Sequence, residues 1–175
     1  MQMKGTIDMP VSYMNDIQKL ETEIDTTRIL NEISTFIFSM EKFSDQICIQ
    51  GVDENMDPFY GSRRINQLNK DLYSEQDFNV NLFPELDYTN MIISELSMCR
   101  TRVMRMAPKT CLSYHVDPTK RIHIPIETNE KCFLLIDKTA HYLPDDDCAY
   151  MVNTKKYHTA INASFDTRTH LVGVI

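Results

Sequence analysis

No two cysteines are spaced as C-x-x-C, and their number is odd: Cys48, Cys99, Cys111, Cys132 and Cys148. That argues against a disulfide framework or a zinc–thiolate site and reads as reduced thiols in a cytoplasmic protein. No apolar run approaches the length that spans a bilayer. The opening stretch, "MQMKGTIDMPVSYMNDIQ", lacks the apolar segment of a secretory leader. Positive charge is also scarce. The net charge of -7 argues against a nucleic-acid partner, which calls for a basic face. There is no internal repeat, low-complexity tract or clear linker, so residues 1–175 read as a single domain, long enough to bury a core without staples.

The two halves differ in rhythm. In the first hundred residues, Ile17, Leu20, Ile24, Ile29, Leu30, Ile33, Phe36 and Ile37 recur at helical spacing, which predicts helix over 14–41, with Asp25, Thr26 or Thr27 capping a second helix inside it. "QICIQ" at 46–50 reads as a short strand. Residues 52–88 are polar and broken by Pro58, Gly61 and Pro84, and read as loops with one short helical turn. Residues 88–99 read as another helix, capped by Thr89 or Asn90. From about Arg102 onward come "TRVMRMA", "RIHIPIE", "KCFLLID", "AHYL", "CAYMVN", "YHTAIN" and "THLVGVI", short β-rich runs separated by turn signals. Strands at that spacing predict a sandwich or barrel of antiparallel sheets, so the fold class is α+β, with helices of residues 1–100 packed on core strands of 101–175.

The chemistry lies in the second half. His115 and Asp117, in "YHVDP", are two residues apart, so extended backbone puts both on one face, able to chelate one metal ion. His158 opens a strand roughly forty residues later, and Arg168 follows it by ten. Two histidines and one carboxylate on one side of a metal make the facial triad of non-haem Fe(II) oxygenases. Three open positions then remain, two for a bidentate 2-oxo acid and one for O2. A 2-oxoglutarate dianion has a distal carboxylate that needs a fixed cation, and the forked guanidinium of Arg168 suits it.

"HVDPTKRIHIPIETN" followed by "NTKKYHTAINASFDTRTHLVGVI" resembles the aspartyl/asparaginyl β-hydroxylase family of Fe(II)/2-oxoglutarate oxygenases, over about residues 102–175. The resemblance rests on H-x-D, the R-x-H-I-P strand, the N-T before the second histidine, H-x3-N and the terminal R-x-H-L-V. It implies a double-stranded β-helix (jelly-roll, cupin-like) core. Iron would be held by His115, Asp117 and His158, and 2-oxoglutarate by Arg168 with help from Arg121 and His123. The implied activity is hydroxylation of a C–H bond in an amino acid or peptidyl residue. O2 is consumed, 2-oxoglutarate becomes succinate and CO2, and ascorbate is a supporting reductant. Methionines stand on "RVMRMA" where the family carries a small hydroxyl residue. The rival reading is a cupin-type metal-binding protein, either non-catalytic or independent of 2-oxoglutarate.

Other polar residues take plainer readings. In "RIHIPI", Ile122, Ile124 and Ile126 share one face, and Arg121, His123 and Pro125 the other; in a barrel around an active site the polar face points inward. His141 reads as a surface or structural histidine, and His170 as packing beside Arg168. "PDDD" at 144–147 reads as a solvated turn, and Cys111 and Cys132 as core thiols. Asn162 either bonds within the site or shapes the turn after its strand. Tyr60, Arg63 and Arg64 either reach an acidic substrate or lie in a solvated loop.

Overall fold

The computed structural model describes residues 16–43, 45–62 and 72–175; Arg63 and Arg64 lie outside them. In chain order the elements are β1 (Ile17–Lys19), α1 (Thr26–Phe43), β2 (Gln46–Cys48), β3 (Gln50–Gly51), α2 (Pro58–Gly61), a 3-10 turn (Glu75–Asp77), β4 (Val80–Asn81) and α3 (Asp87–Glu95). The second half supplies β5 (Cys99–Met106), β6 (Thr110–Cys111), β7 (Arg121–Glu127), β8 (Cys132–Ile136), β9 (Thr139–Tyr142), β10 (Tyr150–Val152), β11 (His158–Asn162) and β12 (Arg168–Val174).

The strands form a six-stranded sheet, ordered β1-β10-β7-β12-β5-β2, and a four-stranded sheet, β6-β11-β8-β9, with β3 and β4 paired apart. Every pairing is antiparallel. Two facing sheets of this kind make the jelly-roll, double-stranded β-helix core, and the fold is α+β. Among the described residues no helix is long and apolar enough to cross a membrane.

The large sheet is buried on both faces. On one, Ile122, Ile124, Val103 and Leu171 pack against Ile29 and Ile33 of α1 and Ile92 and Ile93 of α3. On the other, Met106, Tyr150 and Val152 meet Leu134, Ile136 and Ala160 of the small sheet. β7 serves both: all but Glu127 of its seven residues are buried, its isoleucines under the helices and Arg121 and His123 toward the inter-sheet space. The alternation of two residues per repeat produces this division.

The N-terminal layer departs from the sequence expectation at its start. Ile17–Lys19 is an edge strand on β10, not helix. Its backbone pairs with Tyr150–Val152, which outweighs helical spacing in so short a run. Asp25 accepts from the Arg28 N–H (2.8 Å) and so caps α1. The Thr26 N–H and hydroxyl (3.1 and 2.6 Å) both donate to Asp147. The 144–147 turn is therefore a clasp rather than merely solvated: Asp147 holds α1, and Asp146 takes Lys19 at 2.6 Å. α3 is capped from outside its own sequence, because neither Thr89 nor Asn90 is its cap. Glu32 of α1 accepts from the N–H groups of Tyr88 (3.0 Å) and Thr89 (2.8 Å) and from the Thr89 hydroxyl (2.7 Å). Gly173 is required by close approach: a Cβ there would lie 2.5 Å from Met98 Cε and 2.9 Å from Thr101 Oγ1.

Candidate metal centre

His115 and His158, distant in sequence, are locked together by backbone. Each donates its N–H to the other's carbonyl, at 3.0 and 2.8 Å, in an isolated antiparallel bridge. Leu112 and Asp117 extend the contact, donating to Ala160 and Thr154. The segment 112–117 thus runs beside the start of β11 in extended form. Tyr114 and Val116 face out, and His115 and Asp117 face in.

One ligand atom from each of His115, Asp117 and His158 lies within 4.8 Å of the others, and no second such cluster occurs among the described residues. Nδ1 of His115 is 2.7 Å from the Ser113 carbonyl, and Nδ1 of His158 is 2.9 Å from that of Lys156. A carbonyl accepts only, so each Nδ1 carries the hydrogen and each Nε2 presents a lone pair. Both Nε2 atoms lie 3.7 Å from the Asp117 carboxylate, too far for a hydrogen bond but spaced to share an ion. Burial lowers the His158 pKa, as does His115, despite the hydrogen bond to Lys156, which favours the neutral ring a metal requires. The donor set of two imidazoles and one carboxylate fits a divalent first-row metal such as iron.

Asp117 is itself oriented. Its Oδ2 is 3.2 Å from Arg121 Nε, and Arg121 also reaches Glu75 at 2.8 and 3.1 Å. Glu75 in turn binds Arg100 (2.6 Å) and the Thr119 hydroxyl (2.7 Å). Arg121, assigned to the cosubstrate by resemblance, thus has its guanidinium engaged by two carboxylates. Burial raises the Glu75 carboxyl, but Arg121, Thr119 and Arg100 more than offset it, and its pKa is lowered. Nothing in the sequence marked Glu75, which sits in a polar stretch with no periodicity.

Arg168 opens β12, only 4 % exposed. Its contacts are with neutral groups: Nε is 3.1 Å and Nη2 2.9 Å from the two nitrogens of His170, and Nη1 is 3.3 Å from Met106 Sδ. A neutral imidazole has one acceptor nitrogen, so at most one of the two His170 contacts is a hydrogen bond. His123 meets His170 at 3.4 Å. Burial and the Arg168 charge push both histidines well below the usual histidine range, so neither competes as a cation. Burial pulls Arg168 down to about 10, which still leaves it charged at neutral pH. The ligand atoms, Arg168, His123 and Arg121 line one cavity of about 380 Å³.

The other candidates fall outside it. Asn162 fixes the turn before β12: it donates to Met106 and Asp166 and accepts from Ser164 and Cys132. Cys132 is buried as expected, but Cys111 is exposed on β6, the edge strand of the small sheet. His141 is on β9, at the edge of the small sheet, and does not line the cavity.

An aspartyl/asparaginyl beta-hydroxylase family model matches residues 69–174, a span that begins earlier than the resemblance in the strands and takes in Glu75. No curated protein sequence matches. Among solved structures, AviO1 from Streptomyces viridochromogenes Tue57 superposes with a TM-score of 0.51 at 11% identity, covering 90% of this chain and 87% of that one. A Pseudomonas putida prolyl-4-hydroxylase gives 0.47 at 9% identity, covering 92% of each chain. The Cupin_2 domain of an XRE family transcriptional regulator from Enterobacter cloacae gives 0.33 at 16% identity, over 41% of this chain and 75% of that one. At 11% identity the likeness to AviO1 speaks for the fold alone, and the family rests on the sequence match, which spans more than half the chain: the protein belongs to the aspartyl/asparaginyl beta-hydroxylase family.

Proposed function

We propose that the protein is an Fe(II)- and 2-oxoglutarate-dependent dioxygenase that hydroxylates a C–H bond of an amino acid or peptidyl residue. The observation that carries this reading is Arg168: a buried guanidinium with no carboxylate partner among the described residues, in the cavity where His115, Asp117 and His158 converge. A buried charge is costly unless paired, so such a cation calls for an anion from outside the chain.

Iron held by the three side chains would, with 2-oxoglutarate and O2, supply the oxidising power for the C–H step, 2-oxoglutarate leaving as succinate and CO2. The chain's own residues do the rest. The carbonyls of Ser113 and Lys156 keep the two imidazoles in the ligating tautomer. Arg121 fixes the Asp117 carboxylate. Arg168 binds the distal carboxylate of 2-oxoglutarate, with His123 and His170 beside it as neutral partners. Leu134 and Val172 supply apolar walls that limit water.

The test is succinate formation from 2-oxoglutarate by the purified protein with Fe(II), ascorbate and air, alongside calorimetric binding of 2-oxoglutarate to the Mn(II)-loaded protein. His115→Ala and Asp117→Ala are expected to lose metal binding. Arg168→Ala is expected to keep the metal and to weaken 2-oxoglutarate about a hundredfold, the loss of a bidentate charged contact. Unchanged 2-oxoglutarate affinity in Arg168→Ala would remove that residue from its role. Metal binding without any 2-oxoglutarate binding would replace the oxygenase reading with a cupin-type metal protein.

A further inference from the structure

The segment 112–117 carries two of the three candidate ligands, and it also runs along the outer edge of the small sheet. β6 is an edge strand of that sheet, and the segment continues from it beside β11. Leu112, His115 and Asp117 turn their N–H groups inward along the sheet, to Ala160, His158 and Thr154. In an antiparallel pair the residues between such contacts turn their N–H and C=O groups the other way. The N–H groups of Tyr114 and Val116 stand in those alternate positions and have no hydrogen-bond partner among the described residues. Both residues are exposed. A hydrogen-bonding strand edge is therefore open to solvent directly beside the metal centre.

The side chains on that edge are apolar and aromatic. Tyr114 is 51 % exposed and Tyr157 58 % exposed, and their rings stack with centroids 5.5 Å apart and planes 24° apart. Each tyrosine immediately precedes a ligand histidine, His115 or His158. Val116 shares the outward face with Tyr114. Leu112 and Val116 are exposed and also line the cavity, which places its mouth at this edge. Four exposed large apolar side chains in one place form a patch of the kind that marks an interaction site. None of the four carries a charge, so the matching group is apolar. A free amino acid held at the metal would leave both the edge and the patch uncovered. An extended peptide whose target residue enters the cavity covers both.

Building on the proposed oxygenase reading, we infer that the primary substrate is a polypeptide that docks in extended form as an added strand on the 112–117 edge, with an apolar side chain laid on the shelf of Tyr114, Val116 and Tyr157. Main-chain bonds to Tyr114 and Val116 supply affinity whatever the sequence, and the shelf supplies preference. The added strand continues the sheet, so its side chains alternate between the face of His115 and Asp117 and the face of Tyr114 and Val116. The residue presented to the metal and the residue on the shelf therefore stand an odd number of positions apart.

The experiment is selection from a pool of random hexapeptides, N-acetylated and C-amidated, on the immobilised protein in the presence of Mn(II) and 2-oxoglutarate. Retained peptides are identified by mass spectrometry, and the best is resynthesised for calorimetric titration. Expected is a peptide that carries an apolar residue, binds with a Kd of about 100 μM or tighter, and binds at least about tenfold more weakly to the double variant Tyr114→Ser, Tyr157→Ser. Methylating its backbone nitrogens one at a time should weaken binding at alternate positions only, the signature of strand pairing. The methylation series uses the unaltered protein and stands even if the double variant does not fold. The inference is overturned if no peptide is retained, if the double variant binds the peptide as tightly, or if methylation shows no two-residue alternation. It is also overturned if the unaltered protein self-associates and the double variant does not, since the shelf then belongs to a second copy. A separate titration with 2-oxoglutarate before any peptide is added tests the oxygenase reading: no binding there overturns that reading, while the peptide series still decides the docking edge.

Discussion

Glu75 illustrates what single residues in this protein are asked to do. It is 5 % exposed, pairs with two arginines, and through Arg121 reaches the carboxylate among the candidate metal ligands. Replacing it with glutamine removes the carboxylate that the two buried guanidinium groups share. Glu75→Gln is therefore expected to destabilise the fold by about 3–5 kcal/mol, measured by denaturant unfolding. It should also weaken Mn(II) binding, because Asp117 would then hold Arg121 alone. A stability change under about 1 kcal/mol would show that the network is not paired as described. At this scale the sequence was legible where spacing encodes geometry. H-x-D puts two side chains on one face of any extended segment, and His158 and Arg168 stand out as polar openings of apolar strands. It was illegible for Glu75, whose contacts come from tertiary placement, and half-legible for Tyr114. Alternation places Tyr114 on the face opposite His115 and Asp117, but nothing in the spacing brings Tyr157 to stack on it.

Among the elements, the start of α3 shows how the helical layer is tied together. The helix has no side-chain cap of its own, and Glu32 on α1 takes that role across the interface. Burial tends to raise the Glu32 carboxyl, but the bonds from Thr89 and Tyr88 overcome it and leave the pKa lowered. A carboxyl lowered by folding contributes stability above its unfolded pKa, and that contribution is lost as pH falls through the folded value. Glu32→Gln is thus expected to cost about 1–2 kcal/mol at neutral pH. The gap between variant and parent should close as pH drops below the ordinary glutamate range, read from unfolding midpoints across a pH series. A gap independent of pH would mean that shape, not charge, makes the cap. The strands from Arg102 onward were legible because β-branched runs and turn residues alternate cleanly. β1 was not, since three residues carry too little pattern to outvote the helical spacing around them, and a distant edge of the sheet decides their state.

For the molecule as a whole, the helices and the strands make one structure rather than two. Ile122, Ile124 and Leu171 are buried only because α1 and α3 cover them. A fragment beginning at β5 would expose that face, and at about 25 cal/mol for each Å² of apolar surface it would lose a large part of its stabilisation. Such a fragment, though it carries all three candidate ligands and Arg168, is expected to show no cooperative unfolding transition by circular dichroism and no Mn(II) binding. A folded, metal-binding fragment would make the N-terminal layer an accessory. The arrangement also bears on how such a chain can change over generations. β7 supplies Ile122 and Ile124 to the dry side and Arg121 and His123 to the cavity by alternation, ahead of a register shift against β12 at Ile126, so gaining or losing a single codon within Arg121–Ile124 exchanges the two sides at once. Length variation is therefore barred from this strand and confined to the surface turns, and new specificities must arise there by substitution alone.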